Sequence, residues 1–151
     1  MNKMKLKAIF LSIAGAFVPC MILNGLFHIK LAGEYFDRSF RRFGETIYPM
    51  AKSDPGRIAV VELIWISALF YLLTLNRQDK LDWKTAAIGG MWMNAATSGT
   101  WNLVNGSLFS VFPSQIILPD MAWHILVIGP VAGICLAFIF NHFGASKQVT
   151  A

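Results

Sequence analysis

The sequence predicts an all-α integral membrane protein: a four-transmembrane-helix antiparallel bundle with an amphipathic interfacial helix between helices 1 and 2. Three observations carry this expectation. Four long apolar segments, residues 8–29, 58–75, 85–105 and 121–140, each approach or reach the roughly 20 residues that a spanning helix needs. Hydrophobic residues make up 56% of the chain and charged ones only 14%, against about one quarter charged in soluble domains. The connections are short, so successive spans run antiparallel, and 151 residues leave room for one domain, 1–151, without a separate soluble unit. The formal charge of +5 resides on cations that flank apolar spans, where they anchor ends and meet anionic headgroups. The lipid bilayer is therefore the expected partner, and nucleic acid is not.

The first segment follows Lys3, Lys5 and Lys7 and so mimics a secretory signal. Its apolar run continues to Ile29, too long for a signal core, and residues 12–20 offer no convincing small-x-small exit before Pro19, so it reads as a retained first span. After it, Leu31, Tyr35, Phe36, Phe40, Phe43 and Ile47 repeat at roughly helical spacing, with Arg38, Arg41 and Arg42 on other faces. That pattern predicts the interfacial amphipathic helix, a connector lying on the membrane surface. The second span carries one formal charge, Glu62, and ends in the polar turn Asn76-Arg77-Gln78-Asp79-Lys80, which makes spans two and three a hairpin.

The third span is chemically unlike the others. Asn94, Ser98, Trp101, Asn102 and Asn105 recur at spacings of three or four, which places them on one face turned to the bundle interior. Residues 106–119 are uncharged up to Pro119 and broken by Pro113 and Pro119, an interfacial cap by expectation. Mid-span Pro19 and Pro130 suggest kinks that open one half of the bundle, while Gly89, Gly90, Gly129 and Gly133 permit close packing in the other. Cys20 and Cys135 differ in depth by about 9 Å at 1.5 Å per residue, so no disulfide is expected.

Lys and Arg counts orient the chain weakly. With the N-terminus inside, seven lie inside (Lys3, Lys5, Lys7, Arg77, Lys80, Lys84, Lys147) and six outside (Lys30, Arg38, Arg41, Arg42, Lys52, Arg57). The last loop has none, which favours both termini on the cytoplasmic side of a bacterial inner membrane.

An even number of antiparallel spans brings the end of helix one, the start of helix two, the end of helix three and the start of helix four to one side. The polar residues gather there: Asn24 and His28, Glu62, Asn102 and Asn105, Asp120 and His124. Two pairs, Asn24 with His28 and Asp120 with His124, are spaced i,i+4 and project from one helix face. A carboxylate or amide one turn from a histidine can hold one ring nitrogen and leave the other for a metal, a proton or a substrate. Glu62, His124 and Asp120 are the candidate catalytic groups, with Asn24, His28, Asn102 and Asn105 as candidate ligand-binding residues. The bland alternative is that polar groups at helix ends simply satisfy one another.

The function of that polar pocket stays open among three classes: a membrane enzyme or ligand-binding protein, a small-solute or proton carrier working as a homo-oligomer, and an accessory subunit of a larger membrane complex. His28, His124, Glu62 and Asp120 suffice chemically for a metal or for haem held between facing helices. No motif indicates either: the Glu-x-x-His pairs of di-iron bundles, His-x-x-x-His and Cys-x-x-Cys-His are all missing from the sequence. Asn24-Gly25-x-x-His28 and Asp120-x-x-Trp123-His124 resemble pieces of small bacterial four-helix membrane proteins, a likeness of few residues that implies no activity.

Overall fold

The computed structural model describes residues 3–40, 55–75, 80–108 and 114–144, and every regular element among them is helical. In order these are α1 (Lys3–Gly25), a π-helical stretch π1 (Leu26–Leu31), α2 (Gly33–Phe40), α3 (Pro55–Thr74), α4 (Trp83–Asn94), π2 (Ala95–Gly99), α5 (Thr100–Leu108), α6 (Ser114–Trp123), π3 (His124–Ile128) and α7 (Gly129–Gly144). Three long helices, Leu6–Leu31, Pro55–Thr74 and Ile116–Gly144, are long and apolar enough to cross a membrane. Their outward surface is apolar too: Phe10, Ile22, Val61, Ile64, Leu126 and Phe138 all point away from the protein. Water does not tolerate so much exposed hydrocarbon on a monomer, whereas lipid does. The continuous helix over residues 83–108 is as long but more polar, because Asn94, Thr97, Ser98, Thr100 and Asn102 dilute its apolar content.

The helix ending in α7 is the centre of the packing, with α1 and α4 against it and α3 laid mainly on α1. Its seam with α4 is backbone on backbone. A methyl group at Gly129 would strike the Gly90 carbonyl, one at Gly90 would strike Gly129, and one at Gly133 would strike the Ala86 carbonyl. The four-residue spacings Gly129–Gly133 and Ala86–Gly90 thus mesh as small residues on facing helices, the close approach that lipid-embedded helices use in place of a hydrophobic driving force. Around it Ile66, Leu69, Ile128, Ala132, Leu136 and Cys20 form the core. The far end of α7 is tied by Asn141, whose side chain accepts from Leu81 N–H at 2.8 Å and donates to Leu81 C=O at 2.7 Å.

Several boundaries differ from the sequence expectation. The segment expected as an interfacial cap is helical at both ends, α5 running to Leu108 and α6 starting at Ser114, and Pro119 lies inside α6. A proline there costs the bond its N–H would have made one turn back, a loss that one position in a packed helix tolerates. The helix between the first two spans is observed over Gly33–Phe40, where Arg38 meets Glu34 at 3.3 Å on the exposed face. Arg41, Arg42, Phe43 and Ile47 lie outside the described residues, as do 109–113.

The third helix carries the informative correction. Asn94 is buried and Asn102 is turned to its neighbours, but Trp101 is 68% exposed rather than interior. The cause is π2. In an α-helix at about 100° per residue, Asn102 would sit about 80° away from Asn94 and Trp101 almost beneath it. One π turn absorbs one extra residue and sets the later part back by about 100°. Asn102 then falls within about 20° of Asn94, and Trp101 swings outward.

Candidate functional site

His28 stands in π1, Asp120 in α6, and His124 opens π3. The end of helix one therefore meets the start of the last helix, as the antiparallel order requires. His28 Nε2 lies 2.7 Å from Asp120 Oδ1, and His28 Nδ1 lies 3.0 Å from the Asn24 carbonyl. His124 repeats the second contact, its Nδ1 being 2.9 Å from the Asp120 carbonyl and 3.4 Å from Asp120 Oδ1. Asn102 donates to the other carboxylate oxygen, Oδ2, at 2.8 Å. One ring nitrogen of each histidine and one carboxylate oxygen of Asp120 lie within 4.8 Å of one another. His124 Nε2 has no hydrogen-bond partner among the described residues.

Proton bookkeeping follows from these distances. Asn24 C=O can only accept, so His28 Nδ1 donates to it; the 2.7 Å contact of Nε2 with Asp120 then also needs a hydrogen between nitrogen and oxygen. A hydrogen in each of the two contacts would give the His28–Asp120 pair one more than a neutral ring and a carboxylate carry.

The three π stretches share this region: π2 contacts π3, and α1 contacts π3. Single π turns inside α-helices are often found at functional sites, because they offer backbone groups and re-aim side chains. Here the His124 carbonyl accepts from Gly129 N–H and from the Asn94 side chain at 2.8 Å. Asn94 thereby pins the helix turn that carries His124. Sequence spacing placed Asn94 on the interior face, but the π turn it serves left no sequence signal.

Glu62 is buried, 8% exposed, and accepts from Asn24 Nδ2 at 3.3 Å through Oε2. It belongs to the same polar network, one residue removed from the His28–Asp120–His124 group. Four buried atoms in this half, Asn24 Oδ1, Glu62 Oε1, Trp65 Nε1 and Trp123 Nε1, have no protein partner among the described residues. Aromatic rings wall the centre. Phe27 stacks on Trp123 with centroids 4.5 Å apart, and buried Phe36, from α2, stacks on His28 at 5.6 Å. The sequence marked Phe36 only as part of an amphipathic pattern; the structure uses it to cover His28. The Asn105 side chain lies outside the described residues. Cys20 and Cys135 are both unpaired thiols, Cys20 being 4.0 Å from the Ile128 carbonyl.

Long apolar helices with lipid-compatible surfaces, closed around a small polar network, define a membrane protein. The chain belongs to the family described as Predicted membrane protein (DUF2177), whose model matches residues 9–137. No curated protein and no solved structure matches it.

Proposed function

We propose that this protein crosses the membrane four times and works through the His28–Asp120–His124 centre, as a membrane enzyme or binding protein for a small polar ligand that enters from one face. The observation that carries the reading is His28 held between two oxygens, which makes the His28–Asp120 pair a store for one hydrogen. Such a pair can give or take a proton at a bound ligand. His124, with Nε2 unengaged, contacts the ligand; Asp120 holds the proton; Asn24, Asn94 and Asn102 position them; and Glu62 supplies a second carboxylate. In a bacterial inner membrane with both termini cytoplasmic, the centre faces the outer leaflet, and α2 lies on that surface.

¹⁵N-histidine NMR of chelator-treated protein in mild detergent tests the carrying observation: a hydrogen shared between His28 Nε2 and Asp120 is expected, and a plain Nδ1–H imidazole would refute it. Native mass spectrometry tests the ligand, which Glu62→Gln and His124→Gln should lose while inserting normally. Reporter fusions at each terminus test the orientation.

A second reading, a proton or small-solute carrier acting as a homo-oligomer, is favoured by one observation. Buried Glu62 Oε1 and Asn24 Oδ1, together with the indole N–H groups of Trp65 and Trp123, lack protein partners among the described residues, and such groups are ordinarily met by water or a guest. A wet route to Glu62 would make proteoliposomes carry dye-detected proton flux that Glu62→Gln abolishes. Equal flux in the variant ends this reading.

A further inference from the structure

We propose that His28, His124 and Asp120 form a binding site for a divalent transition-metal ion, ligated by His28 Nε2, His124 Nε2 and Asp120 Oδ1. This rests on the same centre as the reading above and names its guest. Two imidazoles and one carboxylate with open positions are a donor set suited to Zn²⁺ or Fe²⁺. One ring nitrogen of each histidine and a carboxylate oxygen of Asp120 already lie within 4.8 Å of one another, and ligands about 2.0–2.2 Å from a tetrahedral ion lie about 3.4 Å apart. Modest side-chain rotation closes that difference.

The surroundings are those of a metal site rather than of a chance cluster. Each histidine uses Nδ1 on the backbone carbonyl four residues before it, Asn24 C=O for His28 and Asp120 C=O for His124. That contact fixes the tautomer and directs both Nε2 atoms to the ion. Asn102 holds the carboxylate oxygen that does not ligate, which orients Asp120. Charge points the same way. Two carboxylates, partly buried Asp120 and buried Glu62, belong to one network, and a divalent cation compensates both. A carboxylate 2.7 Å from His28 Nε2 occupies the space that a porphyrin face would need, so the geometry suits a compact ion and not haem.

On binding, the hydrogen shared by His28 Nε2 and Asp120 leaves to water as a proton, the ring nitrogen and the carboxylate take the ion, and nothing is oxidised. The position opposite the protein ligands remains for water or a substrate oxygen. Water on the ion would be acidified toward neutrality.

The test begins with protein purified in mild detergent without an immobilised-metal step. Elemental analysis should find close to one Zn²⁺ or Fe²⁺ per chain. Chelator-stripped protein, titrated with Co²⁺, should develop the visible absorption of a low-coordinate site. His28→Gln and His124→Gln should each abolish that absorption, Asn102→Ala should weaken binding about 10-fold, and His142→Gln should leave it unchanged. In parallel, Co²⁺ should broaden the ¹⁵N signals of His28 and His124 in the unmutated chain, a readout that no folding defect can imitate. No metal uptake, or uptake equal in both histidine variants, overturns the metal site. If His28 still shares its Nε2 hydrogen with Asp120 in protein that takes up no metal, the acid–base reading stands without the ion. A His28 carrying only Nδ1–H in such protein ends both.

Discussion

Asp120→Asn and Asp120→Ala separate the chemistry of the centre from its architecture. The carboxylate accepts from Asn102 through Oδ2 and faces His28 Nε2 through Oδ1. An amide of the same shape can keep both contacts: its oxygen accepts from Asn102, and its NH₂ donates to the lone pair of a neutral His28, whose Nδ1–H stays on Asn24. What disappears is the extra hydrogen. The two bonds change from charge-assisted to neutral, which roughly halves each, so the loss is about 1–2 kcal/mol. Alanine instead orphans both partners at ~1–3 kcal/mol each, and the side chains of His28 and Asp120 are about one-fifth exposed, so some water relief holds the total near the lower half of the sum, about 2–4 kcal/mol. Thermal unfolding in detergent should rank the variants in that order. ¹⁵N NMR of chelator-treated protein should show His28 of Asp120→Asn as a plain neutral ring. A shared hydrogen on His28 Nε2 in that variant, or Asp120→Ala no less stable than Asp120→Asn, would refute the reasoning.

Three further outcomes follow from the packing. Gly129→Ala must push apart the Gly90 backbone, which no rotamer can relieve, whereas Gly15→Ala meets only the mobile end of Ile139; after the ~1 kcal/mol helical gain of alanine, the first should destabilise by about 2 kcal/mol and the second by almost nothing, as judged by unfolding in mixed detergent. Asn141→Leu leaves the Leu81 N–H and C=O without their side-chain partner, at about 2 kcal/mol for two bonds, measurable as a lowered Tm with the metal titration unchanged. Deleting Ala96 from π2 should convert it to plain α-helix and keep Asn102 on Asp120, because a π turn is a one-residue insertion; deleting Ala87 from α4 should instead turn Ala86 out of its seam with Gly133. Thermal unfolding in detergent, close to the unmutated chain for the first and clearly lowered for the second, distinguishes the two deletions.

Much of the candidate site was legible from spacing alone. Antiparallel order put His28, Asp120, Glu62 and Asn102 at one end, and the structure joins them through 2.7–3.3 Å contacts. The expectation failed at Trp101, where a strict α-helical period was carried through a stretch that winds as π-helix. It also missed Asn141, whose two bonds to Leu81 join residues far apart in sequence.

What the sequence determined by itself is the solvent and the side. Transfer of long apolar helices into lipid depends on composition and length, and the end at which polar groups collect follows from the antiparallel order of successive helices; neither needs tertiary coordinates. Only the tertiary structure decided which polar atoms meet. The reach of His28 to Asp120, the hold of Asn94 on the His124 carbonyl and the outward turn of Trp101 depend on a phase shift of about one residue within three helices. Such a shift has no period that a single segment can display, whereas the backbone contact at glycines 90, 129 and 133 exists only once the helices are packed together.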